Sequence, residues 1–174
     1  MGFISKITMK KLLITKVMHL FCLFLITENI KAQTNTDYIT FYNNTITKLN
    51  PIISNKTQFY DQPFSNFYNE LQNKDVKVVG LFCDTKVTPG TKYYILKLFL
   101  SDMSMLRIAS ISSYNDPRIS ITFKDEIPNQ VNNMISQYHA QWNPTFAEFF
   151  ANLKIESIKF IGVRGYNSTD YSAK

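Results

Sequence analysis

The chain has 174 residues, with 19 Lys+Arg against 13 Asp+Glu, 14 Phe, 10 Tyr, one Trp and only 5 Gly. Five of the cations and one of the acids fall in the first 32 residues, leaving 14 against 12 in the rest, a balance that gives no ground for nucleic acid or an anionic membrane as a partner. The scarcity of glycine excludes a phosphate-cradling loop, no Gly-x-Ser-x-Gly elbow occurs, and a single histidine after residue 32, His139, excludes a two-histidine metal site within one copy.

At the start, Lys6, Lys10, Lys11 and Lys16 precede an apolar run from Val17 to Ile26 that only His19 interrupts, and the first acid is Glu28. A bilayer-spanning helix needs about 20 apolar residues, so the run is too short for a span. A basic region, a short apolar stretch and a small residue at the cut form the layout of a secretory signal peptide. The pattern predicts cleavage between Ala32 and Gln33, export to the periplasm or beyond the cell, and no membrane span in what remains. Residues 33–174 then form one domain, a length suited to a single hydrophobic core. Cys83 is the one cysteine left, so no disulfide can close within it. The sequons at Asn43, Asn55 and Asn167 are about as many as chance supplies in a chain this rich in Asn.

Thr36 is placed to cap a first helix, on which Tyr38, Tyr42, Ile46, Leu49 and Ile53 recur at helical spacing before Pro51 and the polar run to Gln58 end it. A second helix opens at Asp61-Gln62-Pro63, with Phe64, Phe67, Tyr68 and Leu71 on its apolar side. The period then becomes extended. VKVVGLFC, Val76 to Cys83, reads as a strand, Thr88-Pro89-Gly90-Thr91 as a turn, and KYYILKLFLS, Lys92 to Ser101, as a strand with two apolar faces. MLRIASI, Met105 to Ile111, is expected as a third strand. RISITFK, Arg118 to Lys124, alternates cleanly, with Ile119, Ile121 and Phe123 inward and Arg118, Ser120, Thr122 and Lys124 outward. A third helix follows Pro128 and carries Val131, Met134, Ile135, Tyr138 and Trp142 on its buried side. Asn143 and Pro144 start a fourth, with Phe146, Phe149, Phe150 and Leu153 apolar, and IESIKFIGV, Ile155 to Val163, closes as a last strand before a polar tail, 164–174, expected to fray. The order α-α-β-β-β-β-α-α-β predicts an α+β domain: an antiparallel sheet of about five strands, two N-terminal helices, and a two-helix crossover before a last strand set beside the meander.

Three groups of residues carry chemistry. Cys83 and His139, with Asp84 as a helper, are the one nucleophile–base pair on offer, but Cys83 closes an apolar run in which a free cysteine acts as a small buried hydrophobe. The acids Asp125 and Glu126, with Asp116 and Glu148 as companions, have the residue types for acid–base work, though adjacent acids before Pro128 also suit a helix start. The aromatic and amide-rich QFYDQPFSNFYNE, Gln58 to Glu70, offers flat faces for a sugar or peptide, with Tyr60 and Asp61 as its exposed members, but the same rings at helical spacing describe a buried face. No cofactor or metal is expected. The preferred expectation is an exported domain that acts by binding a protein or small ligand, for example as an inhibitor or immunity-type protein. An enzyme with a dispersed site and a self-associating envelope protein are the competing classes.

Overall fold

The computed structural model describes residues 34–87 and 89–174. The signal peptide expected over 1–32, with its cut at Ala32–Gln33, lies outside the described residues.

Helix α1 spans Asn35–Ser54. Thr34, not Thr36, caps it: the Thr34 hydroxyl accepts the Asp37 N–H at 3.3 Å, and the Asp37 carboxylate accepts the Thr34 N–H at 2.7 Å. A capping box needs its acid three residues past the cap, and Asp37 stands at that distance from Thr34. Tyr38, Tyr42, Leu49 and Ile52 are buried, and the helix continues three residues past Pro51. A short 3-10 turn, Lys56–Phe59, leads to α2, Phe64–Asn73, with Pro63 at the cap position and Phe64, Phe67 and Leu71 buried on the expected face.

Strand β1 is Gly80–Thr85 and β2 is Tyr93–Phe99. Val76 and Val78 are buried in the run leading into β1 but pair only from Val79 onward. The strand expected at Met105–Ile111 is a helix, α3, Met103–Ile111. Asp102 decides this, its carboxylate accepting the N–H groups of Ser104 at 3.0 Å and Met105 at 2.9 Å. Met, Leu and Ala are strong helix formers, and the two isoleucines in MLRIASI do not outweigh the cap. Strand β3 runs Arg118–Ile127, then come α4, Val131–Gln137, α5, Pro144–Phe150, and β4, Ile155–Ile161. The single helix expected up to Trp142 stops at Gln137, because His139 and Ala140 take left-handed conformations, with φ of 52° and 57°. Asn143 caps α5 as expected, accepting Thr145 N–H at 2.9 Å.

The described residues therefore form an α+β fold with one four-stranded antiparallel sheet, in the order β1-β2-β3-β4, and five α-helices. Five strands become four once α3 is a helix, and β4 lies at the edge beside β3. One register row is Cys83–Leu96–Ile121–Ile158, and the next is Phe82–Lys97–Ser120–Lys159. Successive side chains of a strand point to opposite faces, so these rows lie on opposite sides. The first joins Leu49, Phe64, Phe67, Phe146 and Phe150 in the main core. The second faces away from that core.

A smaller cluster at one end of the sheet unites Tyr38 and Tyr42 of α1 with Ala109 of α3, flanked by Tyr114 and Tyr166. Tyr38 donates to the Asn115 carbonyl, and Tyr42 donates to the Gly162 carbonyl at 2.8 Å while accepting the Gly165 N–H at 2.9 Å. Gly162 has φ +70°, and a Cβ there would collide with the Asp116 carbonyl oxygen. The tail expected to fray is hydrogen-bonded: Asn115 Nδ2 donates to Gly165 O at 2.7 Å and Ser168 O at 2.8 Å, and Lys174 exchanges two backbone bonds with Phe160.

Candidate functional site

The residues singled out from sequence are scattered. Cys83 is 3% exposed on the inner side of β1, and burial pushes its thiol up to about 12, so it is a neutral apolar filler at ordinary pH. His139 is exposed in the left-handed turn after α4. That turn is fixed to β1, with Leu81 N–H donating to Ala140 O at 3.0 Å, but no hydrogen bond joins imidazole and thiol. Asp84 points to the other face and binds Lys97 at 2.5 Å; that bond holds its carboxyl below the usual range.

Asp125 and Glu126 lie near the end of β3, not at a helix start. Glu126 pairs with Lys92 at 2.9 Å. Asp116 stands before the opposite end of β3, so at about 3.3 Å per residue the acids are more than about 20 Å apart. Glu148 sits elsewhere, in a shallow groove between α4 and α5. Tyr60 is half-buried against the main core. Asp61, at φ 65°, pairs with Lys124 and donates its N–H to Ile155 O at 2.8 Å, which makes it a turn residue tying α2 to β4. The aromatic run from Gln58 to Glu70 goes mainly into the core, as its helical spacing implied.

Two features sequence reasoning did not single out are contiguous. The first is the outer face of the sheet. Phe82, Ile95, Phe99 and Ile161 supply apolar surface, and Lys97, Arg118 and Lys159 supply three cations, Lys97 paired with Asp84 and Arg118 with Asp116. Phe82 is 52% exposed, with Lys97 Nζ 5.8 Å from its ring centroid. Lys159 is exposed and makes no ion pair among the described residues. The clean alternation of β3 signalled one side of this face, but β1 and β2 are apolar on both sides and gave no signal.

The second is a cleft of about 270 Å³ at the end of that face, where the row Phe99–Arg118–Ile161 meets Leu106 of α3, Asp116 and Tyr171. Asp116 Oδ1 accepts from the Ser101 hydroxyl, while Oδ2 lies 3.8 Å from Arg118 Nε, too far for a hydrogen bond. Burial raises the Asp116 carboxyl above its ordinary value, partly offset by Ser101 and Arg118. The Arg118 side chain is 45% exposed and forms no hydrogen bond among the described residues.

Among the described residues no three His, Cys, Asp or Glu gather as metal ligands, and no helix is long and apolar enough to cross a membrane. Comparison with protein-family models, with curated proteins and with solved structures finds no match.

Proposed function

We propose that this is an exported domain that acts by binding, and that its partner is another protein held across the outer face of the sheet. The observation that carries this reading is Phe82, half exposed in a row with Lys97 and Lys159 on a face that no part of the main core covers. An apolar patch rimmed by charge on a small domain is a recurrent mark of an interaction surface. An aromatic ring among cations also has the makeup of an interface centre, where a few large side chains dominate affinity. Lys159, which has no ion pair among the described residues, calls for a partner whose contact surface sets a carboxylate beside an apolar patch. One concrete form of the role is inhibition or immunity, in which the domain blocks a toxin or hydrolase in the periplasm or outside the cell.

The test places a photo-crosslinking residue at Phe82, at Lys159 and, as a control on the helical side, at Gln72. A discrete adduct from Phe82 and Lys159 but not from Gln72, weakening as salt rises, supports the reading. Equal labelling at all three positions, or none at Phe82, removes it. The mass of the protein recovered from cells tests export: a species beginning at Gln33 supports it, and retention of residues 1–32 sinks it.

A further inference from the structure

The cleft at the end of the outer face combines apolar lining with one acid and one base that form an ion pair at 3.8 Å without a hydrogen bond between them. Phe99, Leu106 and Ile161 supply the apolar lining, and Tyr171, 65% exposed, lines it as well. Asp116 Oδ2 and Arg118 Nε are 3.8 Å apart, close enough to serve adjacent atoms of one ligand yet outside hydrogen-bonding range of each other. Among the described residues, therefore, Arg118 keeps its hydrogen-bond donors for an incoming acceptor, and Asp116 Oδ2 keeps its lone pairs for an incoming donor. A ligand matched to this pair carries an anionic acceptor and an N–H donor on neighbouring atoms. At about 270 Å³ the space is below the range of about 300–1,000 Å³ typical of drug-sized ligands. It suits a single residue and not a folded segment.

We propose that this cleft binds an α-carboxylate that bears an N–H on its α-carbon and an apolar side chain. Arg118 takes the carboxylate, a planar partner for its guanidinium. Asp116 accepts the N–H, and the side chain rests on Phe99, Leu106 and Ile161. Two sources share this chemistry: a free apolar amino acid, and the carboxyl terminus of a peptide or protein. The proposal goes beyond the open-face reading and rests on it only in that the cleft ends the same face.

Nuclear magnetic resonance titration of the purified protein with phenylalanine, N-acetylphenylalanine and phenylalanine amide tests it. Either of the first two should shift the signals of Phe99, Leu106 and Ile161, whereas the amide, which lacks the carboxylate, should not. Preference for phenylalanine identifies a free amino acid, because its ammonium meets Asp116. Preference for the acetylated probe identifies a chain terminus. Arg118→Gln, a change at a partly exposed side chain, should weaken binding about tenfold to a hundredfold, the range for losing a charge-assisted hydrogen bond. Asp116→Asn, which keeps an oxygen for the Ser101 hydroxyl, should weaken phenylalanine more than its acetylated form. Equal binding of the amide, or no shift at the cleft with any probe, overturns the proposal. The crosslinks from Phe82 and Lys159 are scored independently, so their failure alone sinks the wider face, and loss of the titration alone sinks the cleft ligand.

Discussion

In the row Cys83–Leu96–Ile121–Ile158 every side chain is at most 3% exposed, while in the adjacent row Phe82–Lys97–Ser120–Lys159 an aromatic ring remains half in water. The same four strands supply both. Five phenylalanines, Phe64, Phe67, Phe123, Phe146 and Phe150, fill the space beneath the inner face at 0% exposure, and burial at about 25 cal/mol per Å² makes that side the main source of stability. Among the described residues the outer side has only α3 and the tail at one end, and the Asp84–Lys97 ion pair elsewhere. One face holds the domain together, and among the described residues the other keeps Phe82 half exposed.

The sharpest way to break this comparison is to truncate the inner face. Phe64 contacts five other rings, those of Phe67, Tyr68, Phe123, Trp142 and Phe150. Phe64→Ala should cost about 3–5 kcal/mol in denaturant unfolding. A loss under about 1 kcal/mol would show that the inner face does not dominate. Next is the tyrosine cluster at the end of the sheet. Tyr38→Phe leaves the buried Asn115 carbonyl without its donor, with an expected loss of about 1–3 kcal/mol. An unchanged urea midpoint would mean that the hydroxyl adds nothing beyond its ring. Asp102→Ala removes the cap of α3, the helix that walls the cleft, and should cost about 1 kcal/mol, read in faster amide exchange over Met103–Ile111.

Asp116 provides a pH test of the same end. Burial raises its carboxyl in the folded state, so the native protein holds this proton more tightly than the unfolded chain does. Its contribution is fully present below the unfolded value and is lost as pH rises through the raised folded value. Unfolding midpoints measured across that window should flatten in Asp116→Asn, and an identical slope in the variant counts against a buried carboxyl. The smallest effect belongs to the outer face: Phe82→Ala should alter stability by no more than about 0.5 kcal/mol while abolishing partner crosslinking. A large destabilisation would reassign Phe82 to the core.

Much of the inner face was legible because it is written locally. The two-residue alternation of Arg118 to Lys124 placed Ile119, Ile121 and Phe123 inward, and the spacing of Phe64, Phe67 and Leu71 oriented α2. Asn143 and Pro144 marked the start of α5. Met105 to Ile111 misled because its isoleucines suit a strand, and the Asp102 cap that selects a helix is a geometric fact about two N–H groups. The cleft was illegible for a different reason. Arg118 reads as a solvent-facing strand residue and Asp116 as a loop acid, and their shared cavity depends on Leu106 and Tyr171, which come from other parts of the chain.

The sequence by itself therefore determined the α+β class, the placement of most helices, and the buried side of β3, since periodicity and caps act within a few residues. Only the tertiary structure decided which apolar face of β1 and β2 the helices would cover, and that among the described residues Phe82 on the other would stay half exposed. The same holds for Cys83 and His139, of which folding leaves the first buried and the second exposed, with no hydrogen bond between them. Those outcomes depend on contacts between residues distant in the chain, and no local pattern encodes them.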